Sequence, residues 1–280
     1  MVDFAREAHS SSIRRACRVV GISDSVYRYK PDISRDEPVI LKLQEANERY
    51  PAHGFDKLFK ILRRWGHPWN HKRVHRIYCE LKLNKRRRGR KRLPSRYPQP
   101  LCVPATANQC WSMDFMSDSL FCSRRFRTFN VVDDFNREAL VIEIDLNLPA
   151  PRVIRVLERL VAWRGYPDKL RMDNGPEFIS TALAEWAEEH SIELEFIQPG
   201  KPTQNSYVER FNRTYRDEVL NMYVFKTLNE VREITENWIR EYNDERPHSS
   251  LGDLTPWEYL AKHEALENSN LGCTDRKSVV

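Results

Sequence analysis

Three prolines within eight residues, at positions 94, 98 and 100, interrupt a chain of 280 residues. Proline fixes φ and lacks a backbone N–H, so this stretch can form neither a regular helix nor a central strand. The chain is long for one compact domain and comfortable for two. We therefore predict a Pro-rich linker over residues 93–106, with a folded unit on each side.

Charge is divided unequally across this linker. Residues 1–100 hold 25 Lys and Arg against 10 Asp and Glu, a net charge of +15, whereas residues 101–280 hold 21 against 30, a net charge of −9. Eight basic residues and no acid lie between Lys85 and Arg96. This distribution indicates a polyanion-binding module joined to a unit of another kind, although a basic run can also be only a solvated linker.

Composition excludes several classes of protein. Apolar residues make up 40% of the chain, enough for a sizeable core, but no apolar run reaches the length of a membrane span. No two of the nine glycines lie closer than Gly165 and Gly175, which argues against a phosphate-binding loop and a nucleotide cofactor. The six cysteines form no CxxC pair, and the N-terminus has no signal-peptide pattern. We expect reduced thiols, a cytoplasmic location and no membrane partner.

The first 35 residues indicate a small helical segment. Ala16, Val19 and Val20 are spaced for one helix face, Gly21 offers a turn, and Ser23 or Asp24 can cap a second helix. The rhythm is that of a helix-turn-helix, and an ordinary helical hairpin fits it equally well.

Residues 36–92 give a stronger helical pattern. One apolar stripe recurs at helical spacing, and a break at residues 66–69 separates it from a second helix capped by Asn70. The stripe consists of Phe55, Leu58, Phe59 and Leu62. The second helix is apolar on one face and basic on the other, which predicts a helix-turn-helix DNA-binding domain with a basic C-terminal run. Its predicted phosphate contacts are Lys72, Arg73, Arg76, Lys85, Arg86, Arg87, Arg88, Arg90, Lys91 and Arg92.

The second half alternates strand and helix patterns. Five strands are predicted at residues 111–116, 127–133, 139–146, 170–172 and 194–197, and three helices at 151–164, 177–190 and about 206–222. Three consecutive strands followed by alternating helices and strands predict an α/β unit with a mixed sheet flanked by helices.

Three acids are candidates for a metal site. Asp114 lies inside the first strand, Asp173 ends the fourth before an Asn-Gly turn, and Glu209 lies in the last helix. Carboxylates that converge in this way form a hard oxygen site for Mg²⁺ or Mn²⁺. Other interpretations stay open here: Ser206 and Glu209 fit a capping box, Glu209 can pair with Arg213, and a unit with 30 acids always contains some triad. Asp133 and Asp134 are interpreted as polar residues of a hairpin.

Sequence motifs around these acids resemble those of a known family. The blocks WSMDF (111–115), RMDNGPEF (171–178) and PTQNSYVERFNR (202–213) resemble the three signature blocks of DDE transposases and retroviral integrases. The blocks YNDERPHSSL (242–251) and TPWEY (255–259) are similar to the end of bacterial insertion-sequence transposases of the second-reading-frame type. The resemblance covers roughly residues 12–262, in order and spacing.

This resemblance implies a ribonuclease H-like catalytic core over residues 107–222. We expect a helical extension over 223–262 and, since the last residues match no pattern of the family, a disordered tail over 263–280. It implies that Asp114, Asp173 and Glu209 are the catalytic residues and bind two Mg²⁺ or Mn²⁺ ions. It further implies that Arg216 contacts a DNA phosphate and that Asn174, Asn205 and Asn212 lie near the acids, the last two as DNA contacts.

The activity implied is that of a transposase, which binds the ends of a mobile element, cleaves there and joins the freed 3′-OH to another phosphodiester. The implied partners are terminal-repeat and target DNA, the protein of the upstream reading frame or a fusion to it, and further copies of the chain, in the bacterial nucleoid. Two alternatives remain at this point: a DNA-binding repressor with an inactive core, and a structure-selective nuclease of the same fold.

Overall fold

The computed structural model describes residues 1–29, 33–85, 104–198 and 202–274. The described chain divides into two compact units. The first unit contains residues 1–45 and 69–83, and the second contains residues 46–68 together with the chain from Asn84 onward. The predicted linker up to residue 103 and the basic residues Arg86, Arg87, Arg88, Arg90, Lys91 and Arg92 lie outside the described residues.

Helices make up the front of the chain. They are α1 (Val2–His9), α2 (Ile13–Val20), α3 (Asp24–Arg28), α4 (Glu37–Arg49), α5 (Phe55–Arg64) and α6 (His71–Glu80). Ser12 and Ser23 cap α2 and α3, and Gly21 ends α2 at a φ of 77° that favours glycine. Ala16 is buried and Val20 packs against the same apolar cluster, as predicted, whereas Val19 is 78% exposed and Cys17 is the other buried residue of α2.

The two helices of the predicted helix-turn-helix both form. Helix α5 buries Leu58 and Leu62 as predicted, and α6 begins after Asn70, whose side chain accepts a hydrogen bond from the backbone N–H of Lys72. However, α5 belongs to the second unit and α6 to the first. Their pairing as one DNA-binding motif therefore stays a prediction.

The predicted mixed sheet is confirmed, and all five strands are present: β1 (Trp111–Ser119), β2 (Arg125–Asp133), β3 (Ala139–Asp145), β4 (Lys169–Met172) and β5 (Glu193–Phe196). Their order in the sheet is β3-β2-β1-β4-β5. The first three strands form an antiparallel meander, and β4 and β5 are added parallel to β1 and to each other. This is the ribonuclease H-like arrangement that the resemblance implied.

Helices cover both faces of the sheet. Helices α7 (Ala150–Arg164) and α8 (Thr181–Glu189) pack on one face against an apolar cluster that includes Trp111 and Met113. Helices α9 (Ser206–Tyr215) and α10 (Leu228–Asp244) pack on the other face, against a cluster that includes Met116 and Ile142. Because side chains alternate along β1, the even-numbered position of Asp114 puts it on the α9 face.

Three boundaries differ from those predicted. Helix α8 begins at Thr181 rather than 177 because Ser180 caps it, accepting a hydrogen bond from the backbone N–H of Leu183. Helix α9 is α-helical only to Tyr215 and continues as a π-helical turn over Arg216–Leu220. Residues 263–274, predicted as part of a disordered tail over 263–280, continue helix α11 (Pro256–Thr274), because Glu264, Ala265 and Leu266 are strong helix formers, and the rest of that tail lies outside the described residues.

No helix in the described part of the chain is both long enough and apolar enough to cross a membrane.

Candidate active site

Asp114 and Asp173 lie on neighbouring parallel strands. The register pairs Trp111 with Leu170 and Ser112 with Arg171. If this register is extended by two residues, Asp114 lies opposite Asp173, which is the first residue after the end of β4. Residues that are level in a parallel pair point to the same face, so both carboxylates belong to the α9 side of the sheet.

Helix α9 supplies the third acid from above this face. Asn205, Glu209, Asn212 and Arg216 recur at intervals of three or four residues and form one stripe. Three members of the stripe contact β1: Asn205 donates to the carbonyl of Met113 at 3.3 Å, Asn212 to Asp114, and Arg216 to the carbonyl of Ser117 at 3.1 Å. Glu209 lies between Asn205 and Asn212 in this stripe, which places it above the same stretch of β1.

The Asp114 carboxylate is held by two donors. Its Oδ2 accepts a hydrogen bond from Nδ2 of Asn212 at 2.7 Å, and its Oδ1 accepts one from the backbone N–H of Phe115 at 2.8 Å. The pKa of Asp114 is raised to about 6: burial is the main cause, the negative charges of Asp173 and Glu209 add to it, and the two hydrogen bonds oppose it. The three acids are therefore close enough to repel one another.

Asp173 is fixed by the turn that follows β4. The backbone N–H of Gly175 donates to Oδ1 of Asp173 at 3.0 Å. A Cβ at position 175 would lie 3.0 Å from that oxygen, so glycine leaves room for the carboxylate. Asn174 turns away from the acids and donates to the carbonyl of Ile197 at 2.9 Å, which joins the turn to the end of β5.

Glu209 is exposed and does not form the capping box that the sequence allowed. The N-cap of α9 is Asn205, so Ser206 is the first helical residue and Glu209 lies one position too late for a capping box. Among the described residues, Glu209 forms no ion pair with Arg213 either. A capping box does form at α11, where Thr255 and Glu258 exchange hydrogen bonds between side chains and backbone N–H groups. Neither structural interpretation therefore accounts for Glu209.

The chemistry of this donor set fits a divalent cation. It consists of three carboxylates, the ligand type that Mg²⁺ and Mn²⁺ prefer, on one face of the sheet. Their mutual repulsion would be relieved by a bound cation. Within the described residues, no three His, Cys, Asp or Glu side chains are arranged so that they could hold an ion as they stand. Binding would therefore require at least one carboxylate to reorient, and Glu209 is the exposed member on a helix.

The other predicted DNA contacts are placed as follows. Lys72 and Lys85 are exposed. Arg73 and Arg76 are engaged by Asp36, at 2.8 Å from Nε of Arg73 and 2.6 Å from Nη2 of Arg76. Arg216 is partly exposed and lies 3.4 Å from Asp118, so it is paired but accessible. Asn205 and Asn212 are buried against β1 rather than open to a ligand such as DNA.

Two features of the site were missed in the sequence. Asp133 and Asp134 lie at the β2–β3 hairpin, as interpreted, but they are fully buried and form ionic contacts with Arg164 and Arg171. Asn130, in the middle of β2, is also fully buried and contacts Asn212. The available signal was a polar residue inside an otherwise apolar strand pattern.

The chain matches two family models, both described as integrase core domain, over residues 104–202 and 190–256. An uncharacterized 31.7 kDa protein of insertion element IS407 from Burkholderia multivorans is 42% identical over 93% of this chain and 94% of its own length. A 39.2 kDa protein of insertion element IS476 from Xanthomonas euvesicatoria is 38% identical over 92% of this chain and 75% of its own length. The putative transposase InsK of element IS150 from Escherichia coli is 25% identical over 82% of this chain and 84% of its own length.

Among solved structures, the catalytic core domain of HTLV-2 integrase in complex with magnesium aligns with a TM-score of 0.46 and 18% identity, over 55% of this chain and 97% of that one. The integrase-core matches and the similarity to insertion-element proteins over nearly the whole chain agree with the motifs around the three acids. The chain belongs to the DDE-type transposases of bacterial insertion sequences.

Proposed function

We propose that this protein binds the ends of a mobile element, cleaves the DNA there and joins the freed 3′-OH to another phosphodiester. The observation that carries the proposal is the alignment of Asp114 and Asp173 on adjacent strands with Glu209 above them on α9. Repulsion among three neighbouring carboxylates destabilises the fold. A metal-dependent reaction at a phosphodiester would explain why the three acids are nevertheless present.

The assigned ligands are Asp114, Asp173 and Glu209. Two divalent cations bound by them would activate the attacking oxygen and stabilise the leaving oxygen. The protein contributes the placement of these groups: Asn212 and the backbone of Phe115 hold Asp114, and the turn at Gly175 holds Asp173. Because these contacts exist before any ligand arrives, two of the three carboxylates are preorganised.

DNA contacts are assigned to two regions. Arg216 lies one helical turn beyond Asn212 on the stripe that contains Glu209, and its partly exposed guanidinium suits a DNA phosphate. Lys72, Arg73 and Arg76 on α6, Lys85 and the basic residues that follow it carry the more general attraction to the DNA backbone. Terminal-repeat recognition is assigned to residues 12–92, in line with the net charge of +15 on residues 1–100.

Two protein partners are part of this proposal. Joining two element ends to one target requires more than one active site, so we assign the active form to an assembly of several copies on DNA. The protein of the upstream reading frame, separate or fused, is the other proposed partner. Reactions should therefore be tested with this chain alone and with that fusion.

The test uses the full chain, DNA that carries the ends of its own element, and Mg²⁺. Short imperfect inverted repeats that flank the coding sequence would define these ends. We expect nicking at the ends and joining to a target for the parent protein. Glu209→Gln should retain binding to the ends but lose cleavage and joining by a factor of at least about 100, as expected when a catalytic ligand is removed. Glu236→Gln, at an exposed position on α10, is the matched control and should react like the parent.

Other outcomes would assign another function. Cleavage without joining, under conditions where the assembly forms, would identify a nuclease. Binding to the ends without cleavage by the parent protein would identify a repressor. Cleavage by Glu209→Gln at close to the parent rate would remove Glu209 from the ligand set.

A further inference from the structure

Asn130 occupies a position where an apolar residue would be expected. It lies in the middle of β2, in the run Phe129-Asn-Val-Val, and is fully buried. Asparagine is depleted in strands because its side chain competes with the backbone for hydrogen bonds. Its Cα is paired directly with that of Asp114 across the antiparallel β1–β2 register. One row across the sheet therefore contains Asn130, Asp114 and Asp173, all on the α9 face.

The side chains of Asn130, Asn212 and Asp114 form a chain of hydrogen bonds. Nδ2 of Asn130 donates to Oδ1 of Asn212 at 2.6 Å, and Nδ2 of Asn212 donates to Oδ2 of Asp114 at 2.7 Å. An ionised carboxylate only accepts hydrogen bonds, so Asn212 must present its NH₂ group to Asp114. Its carbonyl oxygen then faces β2, and only a donor at position 130 can satisfy it. The direction of every bond in the chain is fixed by the carboxylate.

This arrangement leaves Asn130 only half satisfied. Its Oδ1 is buried and has no hydrogen-bond partner among the described residues. A buried carbonyl without a partner costs free energy, and apolar residues at both 130 and 212 would avoid that cost. Stability of the core therefore does not explain the asparagine, whereas a need for a donor aimed at Asn212 does.

We propose that Asn130 is a positioning residue for the metal site, acting on Asp114 through Asn212. It fixes the plane of the Asn212 amide, and Asn212 in turn fixes one oxygen of Asp114. Since partners behind a metal ligand set its orientation, loss of Asn130 should weaken cation binding without removing any ligand. This inference rests on the proposed metal site and adds to it a residue that does not touch the metal, the DNA or the reacting atoms.

The test measures Mn²⁺ binding to the full chain by the electron paramagnetic resonance signal of free Mn²⁺, with no DNA and no turnover. Asn130→Leu keeps the branched shape of the side chain and removes both polar groups. We expect its Mn²⁺ affinity to fall about tenfold, while thermal unfolding followed by circular dichroism shows a protein that is folded at the assay temperature with a lower Tm, because the carbonyl of Asn212 loses its donor. Thr128→Val is the matched control, because Thr128 is buried on the same face of the same strand and, in the described part of the chain, its hydroxyl has no hydrogen-bond partner. Its affinity should stay within twofold of the parent.

A double-mutant cycle separates action through Asn212 from a general effect on the core. Asn212→Leu should also weaken Mn²⁺ binding, and Asn130→Leu added to it should produce little further loss, because the link is already broken. Full additivity of the two losses would overturn the proposal, as would parent affinity in Asn130→Leu. If the parent protein binds no Mn²⁺, or if Asp114→Asn does not weaken binding, the metal site itself fails. That outcome differs from one in which the parent protein binds Mn²⁺ and its affinity does not depend on Asn130.

Discussion

Arg171 of β4 and Asp134 at the β2–β3 turn form an ion pair inside the core, with 2.6 Å between Nη1 and Oδ2 and less than a tenth of either side chain exposed. Arg171 is two residues before Asp173 in the sequence and points to the same face of the sheet. The ion pair therefore lies beside the acid cluster on that face. Burial raises the pKa of Asp134, and the charge of Arg171 opposes that shift. Arg171 is the charged partner of this fully buried carboxyl.

Removal of one partner of this pair should be strongly destabilising. We expect Asp134→Ala to lower the free energy of unfolding by about 3–5 kcal/mol, because it leaves Arg171 charged and buried without its main partner. Urea unfolding at pH 7 measures this loss. Asp134→Leu combined with Arg171→Leu should recover much of it, since two apolar side chains replace two charges. A loss below 1 kcal/mol in Asp134→Ala would contradict the structural role of the pair.

A second buried ionic cluster predicts a pH dependence. Glu218, in the π-helical turn after α9, accepts hydrogen bonds from Arg246 and from the indole of Trp238, and it lies 3.4 Å from Nε2 of His53. Burial acts to raise the pKa of Glu218, but the hydrogen bond from His53 and the charge of Arg246 outweigh it and hold that pKa far below its usual 4.5. A carboxyl with a lowered pKa stabilises the fold above its ordinary pKa and loses this contribution as the pH falls below it.

The corresponding variant is Glu218→Gln. At pH 7 we expect a loss of about 3–5 kcal/mol, because Arg246 remains buried and unpaired. The difference in free energy of unfolding between variant and parent should be constant above about pH 5 and shrink as the pH falls below 4.5. In that range Glu218 is protonated in the unfolded parent but stays ionised in the folded parent. Urea unfolding between pH 3.5 and 7 measures it, with Glu236→Gln as the exposed control. A difference that grows toward low pH would have the wrong sign.

Asp114→Asn should stabilise the metal-free protein. The raised pKa of Asp114, about 6, means that the fold opposes ionisation of this carboxyl through burial and the charges of Asp173 and Glu209. Stability of the metal-free parent should therefore fall as the pH rises from about 4 to 6, and the asparagine variant should avoid this fall. We expect a gain on the order of 1–3 kcal/mol at pH 7 and almost none at pH 4.

Thermal unfolding in EDTA measures this gain, and Asp168→Asn, at an exposed position, should have no comparable effect. Added Mg²⁺ should stabilise the parent more than the Asp114→Asn protein, because the variant lacks one ligand charge. Equal stabilisation of both by Mg²⁺ would argue against Asp114 as a ligand.

The sequence predicted the strands and the two acids in the sheet because their determinants are local. Asp173 follows a short predicted strand and precedes an Asn-Gly turn, and Asp114 interrupts a strand, so both features lie within a few neighbouring residues. The capping-box interpretation of Glu209 could not be tested locally. Whether Asn205 or Ser206 is the N-cap depends on how the chain enters α9, and a shift of one residue decides it.

The buried ionic groups could not be predicted for a different reason. Asp134 can be buried because it pairs with Arg171, which lies on β4, after helix α7 in the sequence. No local sequence pattern predicts this pairing. The same holds for Asn130, whose role depends on a helix 82 residues further along the chain. In the sequence, such residues look like ordinary polar residues of turns or strands. Their partners become known only from the topology of the fold.

Asp36 should limit DNA binding by the first unit. Its carboxylate pairs with both Arg73 and Arg76, and these hydrogen bonds hold the pKa of Asp36 below its usual value, so Asp36 is ionised at neutral pH. If the two arginines contact phosphates, Asp36 competes for them. Asp36→Asn should then strengthen binding to any DNA sequence by a few fold at low salt and steepen the fall of affinity with salt, because each added phosphate contact releases a counterion.

Fluorescence anisotropy with duplex DNA at several salt concentrations measures both quantities for Asp36→Asn. Asp24→Asn is the matched control, because Asp24 also pairs with an arginine, Arg28, which is not among the residues assigned as phosphate contacts. The control should change affinity only by the loss of one negative charge and leave the salt slope unchanged. If Asp36→Asn behaves like Asp24→Asn, then Arg73 and Arg76 serve the structure of the first unit, and the phosphate contacts lie elsewhere.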